Sequence, residues 1–296
     1  MILRSDRLWV EIADAGIYPN VGTRFDRAGF IKYVVLDNAY QFCTEEPHNL
    51  RHEWSGGAGI CNEFVFDPVS VECPVGEWFP KFGVGLLKKE TDTVFKGYIR
   101  YQCQPFEQEV IKENEACVEF ITHPKTCRGY AALTRRKIRV EDNRILMDIS
   151  LKNVGERSID FEELCHNFQT IEHLPIGPEY DLRMDVAPQD QKEALRGTAL
   201  YGKGKGFAFS GYSDQPSMYR LEKEDIDRKA PFTWKLTHQK SPVSVSETVS
   251  VTPQRITVWT IDHIVCPEAI CRFIVEPGEE VCFSRIWCYE DERRMQ

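Results

Sequence analysis

Residues 271–289, CRFIVEPGEEVCFSRIWCY, contain two short runs of aromatic and β-branched residues on either side of a Pro-Gly pair. The runs cover 271–275 and 281–289, and Pro277 and Gly278 lie between them. Runs of this composition beside turn-forming residues predict two strands separated by a tight turn. The same pattern recurs along the chain, so this segment represents the fold class of the whole protein.

Comparable extended segments occur throughout the sequence. Residues 137–152 predict two strands separated by the polar turn 141–144, and 245–251 alternates as a half-exposed strand does. The other extended segments are 29–36, 117–122 and 207–212, whereas helical patterns are confined to 47–52 and 222–229. Strands that recur about every ten residues predict an all-β protein, a sandwich or barrel with few short helices.

A length of 296 residues allows one large or two medium domains. Residues 189–206 are polar and contain three glycines near their end, but strand patterning resumes on both sides. A surface loop accounts for this segment better than a domain boundary does. We therefore expect a single domain over residues 1–296.

The charge balance restricts the classes of partner. Lys plus Arg is 37 and Asp plus Glu is 46, which gives a formal net charge of −9. An acidic surface attracts neither a nucleic-acid backbone nor an anionic membrane surface. No stretch approaches the ~20 apolar residues that span a bilayer. We expect a small-molecule ligand, no nucleic acid, no membrane, and a monomer or homodimer.

The cysteines indicate the redox environment. The chain has 11 of them, an odd number, scattered and without a C-x-x-C pair. Disulfide scaffolds are dense and usually even-numbered, so these residues are predicted to be free thiols in a reducing cytoplasm. The first twenty residues are too charged for an apolar signal core, with Arg4, Asp6, Arg7, Glu11 and Asp14.

Two polar groups stand in apolar surroundings far apart in the sequence. Glu268 lies within 264–270, and His166 lies within 163–168 beside Asn167. A buried carboxylate without a partner is costly, so Glu268 is expected to have a partner or a raised pKa. Such placement is what acid–base catalysis requires. The alternative is a structural glutamate and a core histidine with satisfied hydrogen bonds.

Two glycine-rich segments are candidates for ligand contact, because glycine lets the backbone approach a ligand or a neighbouring strand. Segment 22–30 contains Arg24 and is also compatible with a turn held by an ion pair. Segment 55–64 follows Trp54, whose ring is of the type that packs on apolar sugar faces. The alternative for Trp54 is an aromatic ring that covers the edge of the core.

Metal-ligand spacing is weak in this sequence. His48 and His52 are four residues apart, which suits two imidazoles on one helical face, and Cys266 and Cys271 flank an expected turn. Neither pair has further matched ligands. We interpret them as surface histidines and ordinary thiols, and no metal site is predicted.

Several blocks in these regions occur in the order found in bacterial aldose 1-epimerase-like proteins. The sequence resembles the galactose mutarotase-like superfamily, which includes aldose 1-epimerases and hexose-6-phosphate mutarotases. The blocks cover roughly residues 20 to 290 and are 22–26, 56–57 with 62–64, 81–88, 166–168 with 175–180, and 265–268 with 277–278. The resemblance implies a large antiparallel β-sandwich, in agreement with the predicted strands.

The resemblance also implies a mechanism. Mutarotation opens a sugar hemiacetal and closes it on the other face, which requires a base at the anomeric hydroxyl and an acid at the ring oxygen. In the family a late glutamate is the base and a mid-chain histidine is the acid. Glu268 and His166 match these positions. The proton transfers need no cofactor, and none is expected.

The sequence departs from the family at the glycine pair. Galactose mutarotases carry a histidine directly before it and hexose-6-phosphate mutarotases an arginine, but here Ser55 precedes Gly56. His52 and His123 are candidates for the missing histidine.

Cations are expected near the sugar because its oxygens accept hydrogen bonds. Arg24 and Lys81 are candidates for this contact, although Lys81 is equally compatible with a solvated strand residue. Asn167, beside the predicted acid, is a further candidate substrate contact.

The sequence thus predicts a carbohydrate-active isomerase that exchanges the anomers of a hexose or modified hexose. One alternative is a sandwich that binds a carbohydrate without turnover, which the departures at the glycine pair suggest. Another is a different sugar isomerase or a lyase, for which Tyr180 is available as a second catalytic group. The fold alone does not choose between these functions.

Overall fold

A computed structural model of the protein describes residues 1–16, 22–47, 55–186, 188, 197, 199–212, 214–222, 226 and 231–294. Most of 47–52 and of 222–229, where helices are predicted, lies outside the described residues, as do His48, His52 and Trp54. The one α-helix of the described residues is α1 (Asp67–Glu72), which has a proline in its first turn, and Glu292–Arg294 form a 3-10 turn.

The described residues contain 22 strands. In chain order they are β1 (Ile2–Arg4), β2 (Leu8–Ile12), β3 (Ile31–Leu36), β4 (Tyr40–Phe42), β5 (Ile60–Val65), β6 (Trp78–Lys81), β7 (Gly85–Lys88), β8 (Cys103–Pro105), β9 (Glu107–Asn114), β10 (Cys117–His123), β11 (Ala132–Glu141), β12 (Arg144–Asn153), β13 (Ile159–Asn167), β14 (Tyr180–Met184), β15 (Leu200–Gly202), β16 (Gly206–Phe209), β17 (Ser217–Leu221), β18 (Phe232–His238), β19 (Val243–Val249), β20 (Arg255–Ile261), β21 (Ile264–Val275) and β22 (Glu280–Asp291).

The strands form two large sheets and one small sheet. A nine-stranded sheet has the order β1-β2-β3-β5-β13-β21-β20-β17, with β4 paired to β3. A ten-stranded sheet has the order β15-β16-β14-β18-β19-β22-β12-β11-β10-β9, and β6, β7 and β8 make the small one. Pairing is antiparallel, as between β13 and β21 and between β12 and β22. The predicted all-β antiparallel sandwich is confirmed.

Apolar side chains of the two large sheets meet in a common core. Alternate residues of β12 are buried in this core, as the period of two along a strand requires. Between the sheets, Phe273 of β21 stacks on Phe283 of β22 with ring centroids 4.8 Å apart. Phe42 meets Tyr289 edge-on at 4.8 Å. This core supports the inner face of the nine-stranded sheet.

The two runs within 271–289 are strands, but they do not pair with each other. β21 lies between β13 and β20 in the nine-stranded sheet, whereas β22 lies between β19 and β12 in the ten-stranded sheet. The turn at Pro277 and Gly278 therefore carries the chain from one sheet to the other. Composition locates the strands and the turn, but it contains no information on the partner strand.

The predicted loop over 189–206 contains a strand. β15 (Leu200–Gly202) pairs with β16 at the edge of the ten-stranded sheet. Residues 189–196 and 198 lie outside the described residues. Three residues are too short a run to show an alternating pattern, which explains why the sequence does not reveal this strand.

The glycine segment before β5 permits two close approaches. Gly59 has a positive φ of 53°, and a Cβ there would lie 2.1 Å from the carbonyl oxygen of Ile31. At Gly57 a Cβ would lie 2.5 Å from the ring of Phe168. Both positions therefore require glycine if β5 is to reach β3 and Phe168 is to pack beside it. The close approach predicted for this segment is to a strand and an aromatic ring.

Within the residues that the structure describes, no helix has the length and apolar character needed to cross a membrane.

Candidate active site

Three neighbouring strands bring the predicted acid and base together. His166 is on β13, Glu268 is on β21, and Glu63 is on β5, and the sheet order places β13 between the other two. Because side chains alternate along a strand, these three residues share one face of the nine-stranded sheet, the face turned away from the sandwich core. Residues more than 100 positions apart, such as Glu63 and His166, therefore become neighbours.

His166 and Glu268 form a buried pair. The distance from Nδ1 of His166 to Oε1 of Glu268 is 2.6 Å. His166 is only 3% exposed and Glu268 only 8% exposed. Phe25 meets the imidazole edge-on at 5.0 Å, and Phe168 stacks on it at 6.1 Å. These rings limit the access of water and fix the plane of the imidazole.

Glu63 holds the other side of the imidazole. Its Oε2 lies 3.0 Å from Nε2 of His166 and accepts a hydrogen bond from Nε of Arg24 at 2.7 Å. Its Oε1 accepts a hydrogen bond from Nζ of Lys81 at 3.1 Å. Each ring nitrogen of His166 thus faces a carboxylate, and Glu63 is shared by two cations as well. We call Arg24, Glu63, Lys81, His166 and Glu268 the charged cluster.

The charged cluster favours the imidazolium form of His166. Burial lowers the pKa of His166, but the Glu268 carboxylate and the hydrogen bonds to Glu268 and Glu63 outweigh it, so the pKa is raised above its ordinary value. Burial opposes ionisation of Glu63, yet the charges of Arg24 and Lys81 hold its pKa well below the usual value. Both ring nitrogens of an imidazolium are donors, which matches two carboxylate acceptors.

A pocket of about 450 Å³ opens over this cluster. Arg24, Glu63 and Glu268 line it on one side, and Arg220 of β17 and Arg255 of β20 line it on the other. A volume of this size suits a small-molecule ligand. Glu268 is the member of the buried pair that lines the pocket directly.

The predicted cations take different positions. The Arg24 side chain is 32% exposed and lines the pocket, where it can contact a ligand. Lys81 is 4% exposed, and it donates to Glu63 and to the carbonyl oxygen of Phe64. Burial also lowers the pKa of Lys81. The structure therefore places Lys81 behind Glu63 and does not show the solvated strand residue that was the alternative.

Other predicted residues lie away from the charged cluster. Asn167 points to the opposite face of β13 and is fully buried, because adjacent residues of a strand face opposite ways. It supports the site from inside the sandwich, a position without access to the pocket. His123 ends β10 in the other large sheet, where its Nε2 lies 3.2 Å from Glu109. His52 and Trp54 lie outside the described residues.

Tyr180, the second group considered for a lyase, makes its hydrogen bonds with residues other than His166 and Glu268. It lies on β14 in the ten-stranded sheet and is 1% exposed. Its hydroxyl donates to the carbonyl oxygen of Leu174 and accepts from the backbone amide of Ile171. These contacts commit the hydroxyl to the fold.

Comparison with known proteins decides the fold. No protein-family model matches the sequence, and no curated protein matches it. Solved structures do match over nearly the whole chain. The Slr1438 protein of Synechocystis sp. PCC 6803 is 12% identical, with coverage of 99% of this chain and 96% of that chain and a TM-score of 0.61.

Two further solved structures are similar to this chain over almost its whole length. The galactose mutarotase related enzyme of Lactobacillus acidophilus is 13% identical, covers 98% of this chain and 97% of its own, and has a TM-score of 0.61. The GalM/aldose epimerase homologue of C. elegans is 10% identical, with 98% coverage of both chains and a TM-score of 0.54. The protein has the galactose mutarotase-like fold. At this level of identity the similarity establishes the fold alone.

In this mutarotase-like sandwich, a buried arginine lies directly behind the charged cluster. Arg285 of β22 is 0% exposed and donates to Glu163 of β13 and to Glu247 of β19, each at 2.7 Å. It also donates to the carbonyl oxygen of Ala269 on β21 at 2.9 Å. Arg285 thus ties the strands that carry His166 and Glu268 to the opposite sheet.

Two tryptophans and an asparagine complete this arrangement. Glu247 accepts hydrogen bonds from Trp234 at 2.7 Å and from Asn167 at 2.9 Å. Asn167 accepts one from Trp287 at 2.8 Å and donates another to the carbonyl oxygen of Pro267, one residue before Glu268. We call Glu163, Asn167, Trp234, Glu247, Arg285 and Trp287 the core network. It holds β13 and β21 in register beneath the charged cluster.

The sequence analysis did not select Glu63 as a site residue. Glu63 stands between Cys61 and Phe64 in a largely apolar run, which is the same signal that selected Glu268. The signal was present, but only the pairing of β5 with β13 shows that Glu63 faces His166.

Proposed function

We propose that the protein is an aldose 1-epimerase, which interconverts the anomers of a hexose or modified hexose by acid–base ring opening. His166 is the acid and Glu268 is the base. The observation that carries the proposal is the contact of 2.6 Å between Nδ1 of His166 and Oε1 of Glu268, a residue that lines a pocket.

A hemiacetal complements this pair of atoms. Its anomeric carbon carries a hydroxyl, which donates a hydrogen bond, and the ring oxygen, which accepts one. The Nδ1–H of His166 is a donor, and the carboxylate of Glu268 beside it is an acceptor. A sugar that enters the pocket can therefore replace the direct contact with two hydrogen bonds, one to each residue.

The proton transfers balance in both directions. Glu268 removes the proton of the anomeric hydroxyl, a carbonyl forms at the anomeric carbon, and the bond to the ring oxygen breaks. His166 transfers its Nδ1 proton to that oxygen. After rotation about the bond next to the carbonyl, neutral His166 takes the proton back, the hydroxyl attacks the other face, and Glu268 returns its proton.

Glu63 acts as a positioning residue in this scheme. Its Oε2 accepts the Nε2–H of His166 at 3.0 Å, so the other nitrogen, Nδ1, is directed at Glu268. Arg24 and Lys81 neutralise Glu63, so that Glu268 remains available as the base for the sugar.

The activity is expected to fall as the pH rises through the pKa of His166. Glu268 and Glu63 raise this pKa above the ordinary value of a histidine, so the acid is lost at a higher pH than a free imidazole would be. Glu63→Gln removes a carboxylate that supports the imidazolium. Its alkaline limb is therefore expected at lower pH than that of the parent protein in a profile of kcat/KM for anomer exchange.

Glu162→Gln is the matched control for this shift. Glu162 also lines the pocket, but it accepts its hydrogen bond from Arg255 at 2.7 Å. The alkaline limb of the Glu162→Gln variant should lie at the same pH as that of the parent protein. NMR titration of the His166 ring would follow the same pKa directly. An unchanged limb in Glu63→Gln would contradict the positioning role of Glu63.

Two-dimensional exchange NMR of anomeric protons tests the proposed activity. The full chain is mixed with a panel of aldoses, 6-phosphohexoses, uronates and deoxy sugars. Enhanced exchange for one sugar supports the proposal and identifies the substrate class. Sugar affinity by calorimetry without enhanced exchange would replace the enzyme with a carbohydrate-binding protein on the same fold.

A further inference from the structure

Cys266 places a third metal-ligating atom beside the acid–base pair. Cys266 and Glu268 are two residues apart on β21 and share one face of the sheet. The thiol of Cys266 lies 3.5 Å from Oε1 of Glu268. Its sulfur, Oε1 of Glu268 and one ring nitrogen of His166 all lie within 4.8 Å of one another. The three residues come from two paired strands, which hold them in place without a ligand.

The chemistry of these three atoms selects a class of cation. Imidazole nitrogen and thiolate sulfur suit borderline and soft metals, whereas Mg²⁺ and Ca²⁺ prefer sets made only of oxygen. One histidine, one cysteine and one glutamate are a donor set that Zn²⁺ accepts in tetrahedral geometry. Three protein ligands leave one position open, and the pocket above Glu268 provides space for it.

The charges also match. A thiolate and a carboxylate together balance a divalent cation, and a neutral imidazole completes the set. The nearby cations Arg24 and Lys81 both bond to Glu63, which stands between them and His166. Burial of all three ligands limits competition from water.

We propose that His166, Cys266 and Glu268 form a binding site for Zn²⁺ or a similar divalent metal beside the pocket that Glu268 lines. On binding, the thiol proton and the Nδ1 proton leave for solvent, and the metal occupies the place of the hydrogen bond between His166 and Glu268. Bound Zn²⁺ is therefore expected to abolish anomer exchange, and this expectation rests on the proposed function. Metal binding at the site does not depend on the proposed function.

Cobalt titration of the full chain tests the site without any sugar. The reduced protein is treated with a chelator, desalted and titrated with Co²⁺. We expect about one tightly bound Co²⁺ per chain, a thiolate-to-cobalt charge-transfer band, and loss of that band when Zn²⁺ is added. A parent protein that shows no such band at stoichiometric Co²⁺ would overturn the proposal.

Matched cysteine variants separate this site from the other thiols. Cys266→Ser should lose the band and bind Co²⁺ at least about 10-fold more weakly. A loss of that size is already found when a residue that only hydrogen-bonds to a metal ligand is replaced. Cys271→Ser changes a buried thiol on the same strand, and Cys282→Ser removes an exposed one. Both of these control variants should retain the band. If the band persists in Cys266→Ser, the metal is bound elsewhere and the proposed site is wrong.

A second variant keeps the test decisive if Cys266→Ser is unstable. Glu268→Gln replaces an anionic ligand with a neutral one, and its Co²⁺ affinity should also fall by at least about 10-fold. Equal affinity in this variant would contradict the site. Co²⁺ binding is measured directly and without sugar. Absence of anomer exchange would therefore reject the proposed function but not the metal site. Absence of Co²⁺ binding would reject the metal site but not the proposed function.

Discussion

Glu268→Gln is expected to lower kcat for anomer exchange by at least about 100-fold, the usual size of a general-base contribution. The amide keeps the shape of the side chain and can still bond to His166, but it cannot take a proton from the anomeric hydroxyl. Saturation transfer between the two anomeric protons of the best substrate measures this rate directly. Circular dichroism and thermal unfolding should show that the variant remains folded.

Glu119→Gln provides the control for loss of one negative charge. Glu119 lies on β10 in the other large sheet and pairs with Arg135 at 3.3 Å, far from the acid–base pair in the fold. We expect this variant to retain the parental rate. Equal rates for Glu268→Gln and the parent would remove Glu268 from the mechanism and with it the proposed assignment of the base.

Arg285→Met is expected to reduce the free energy of unfolding by about 3–5 kcal/mol, the range for removal of one partner from a buried ion pair. The side chain is 0% exposed and bonds to two buried carboxylates, Glu163 and Glu247. Burial already raises the pKa of Glu247, and Arg285 opposes that shift. Without Arg285 two buried carboxylates lose their shared cation. Urea denaturation followed by tryptophan fluorescence measures the loss.

Arg272→Met is the comparison for an exposed arginine, on β21 in the other large sheet. Arg272 pairs with Asp160 at the surface, where ion pairs contribute little, so its loss should be clearly smaller. A second test adds Glu163→Gln and Glu247→Gln to Arg285→Met, which removes the buried charges together. This combination should recover part of the lost stability. Equal losses at Arg285 and Arg272 would show that the core network does not stabilise the fold.

The core network also connects stability with the proposed activity. Arg285 contacts the backbone of β21 at Ala269, next to Glu268, and Asn167 contacts it at Pro267. Glu268 therefore lies between two anchored residues, and its strand cannot shift without breaking a buried hydrogen bond. A low-dielectric interior strengthens such bonds. This explains how a small site holds two groups at 2.6 Å in the absence of a ligand.

The candidate site was accessible to sequence reasoning only in part. His166 and Glu268 were selected because a polar residue in an apolar run needs a partner, and the structure shows that each is near the other. Glu63 has the same local signal and was not selected. Asn167 was predicted to contact the substrate. Side chains alternate between the two faces of β13, and that of Asn167 points into the core. A choice between the two faces of a strand needs the position of the neighbouring sheet.

By itself the sequence determined the all-β class and the positions of eight of the 22 strands, because alternation, β-branched residues and turn residues act locally. Only the tertiary structure decided which strands pair. It separated β21 from β22 and placed β13 between β5 and β21. Pairing depends on contacts between residues far apart in the chain, such as Glu63 and His166, 103 positions apart. The arrangement of the charged cluster is therefore a property of the assembled sheet.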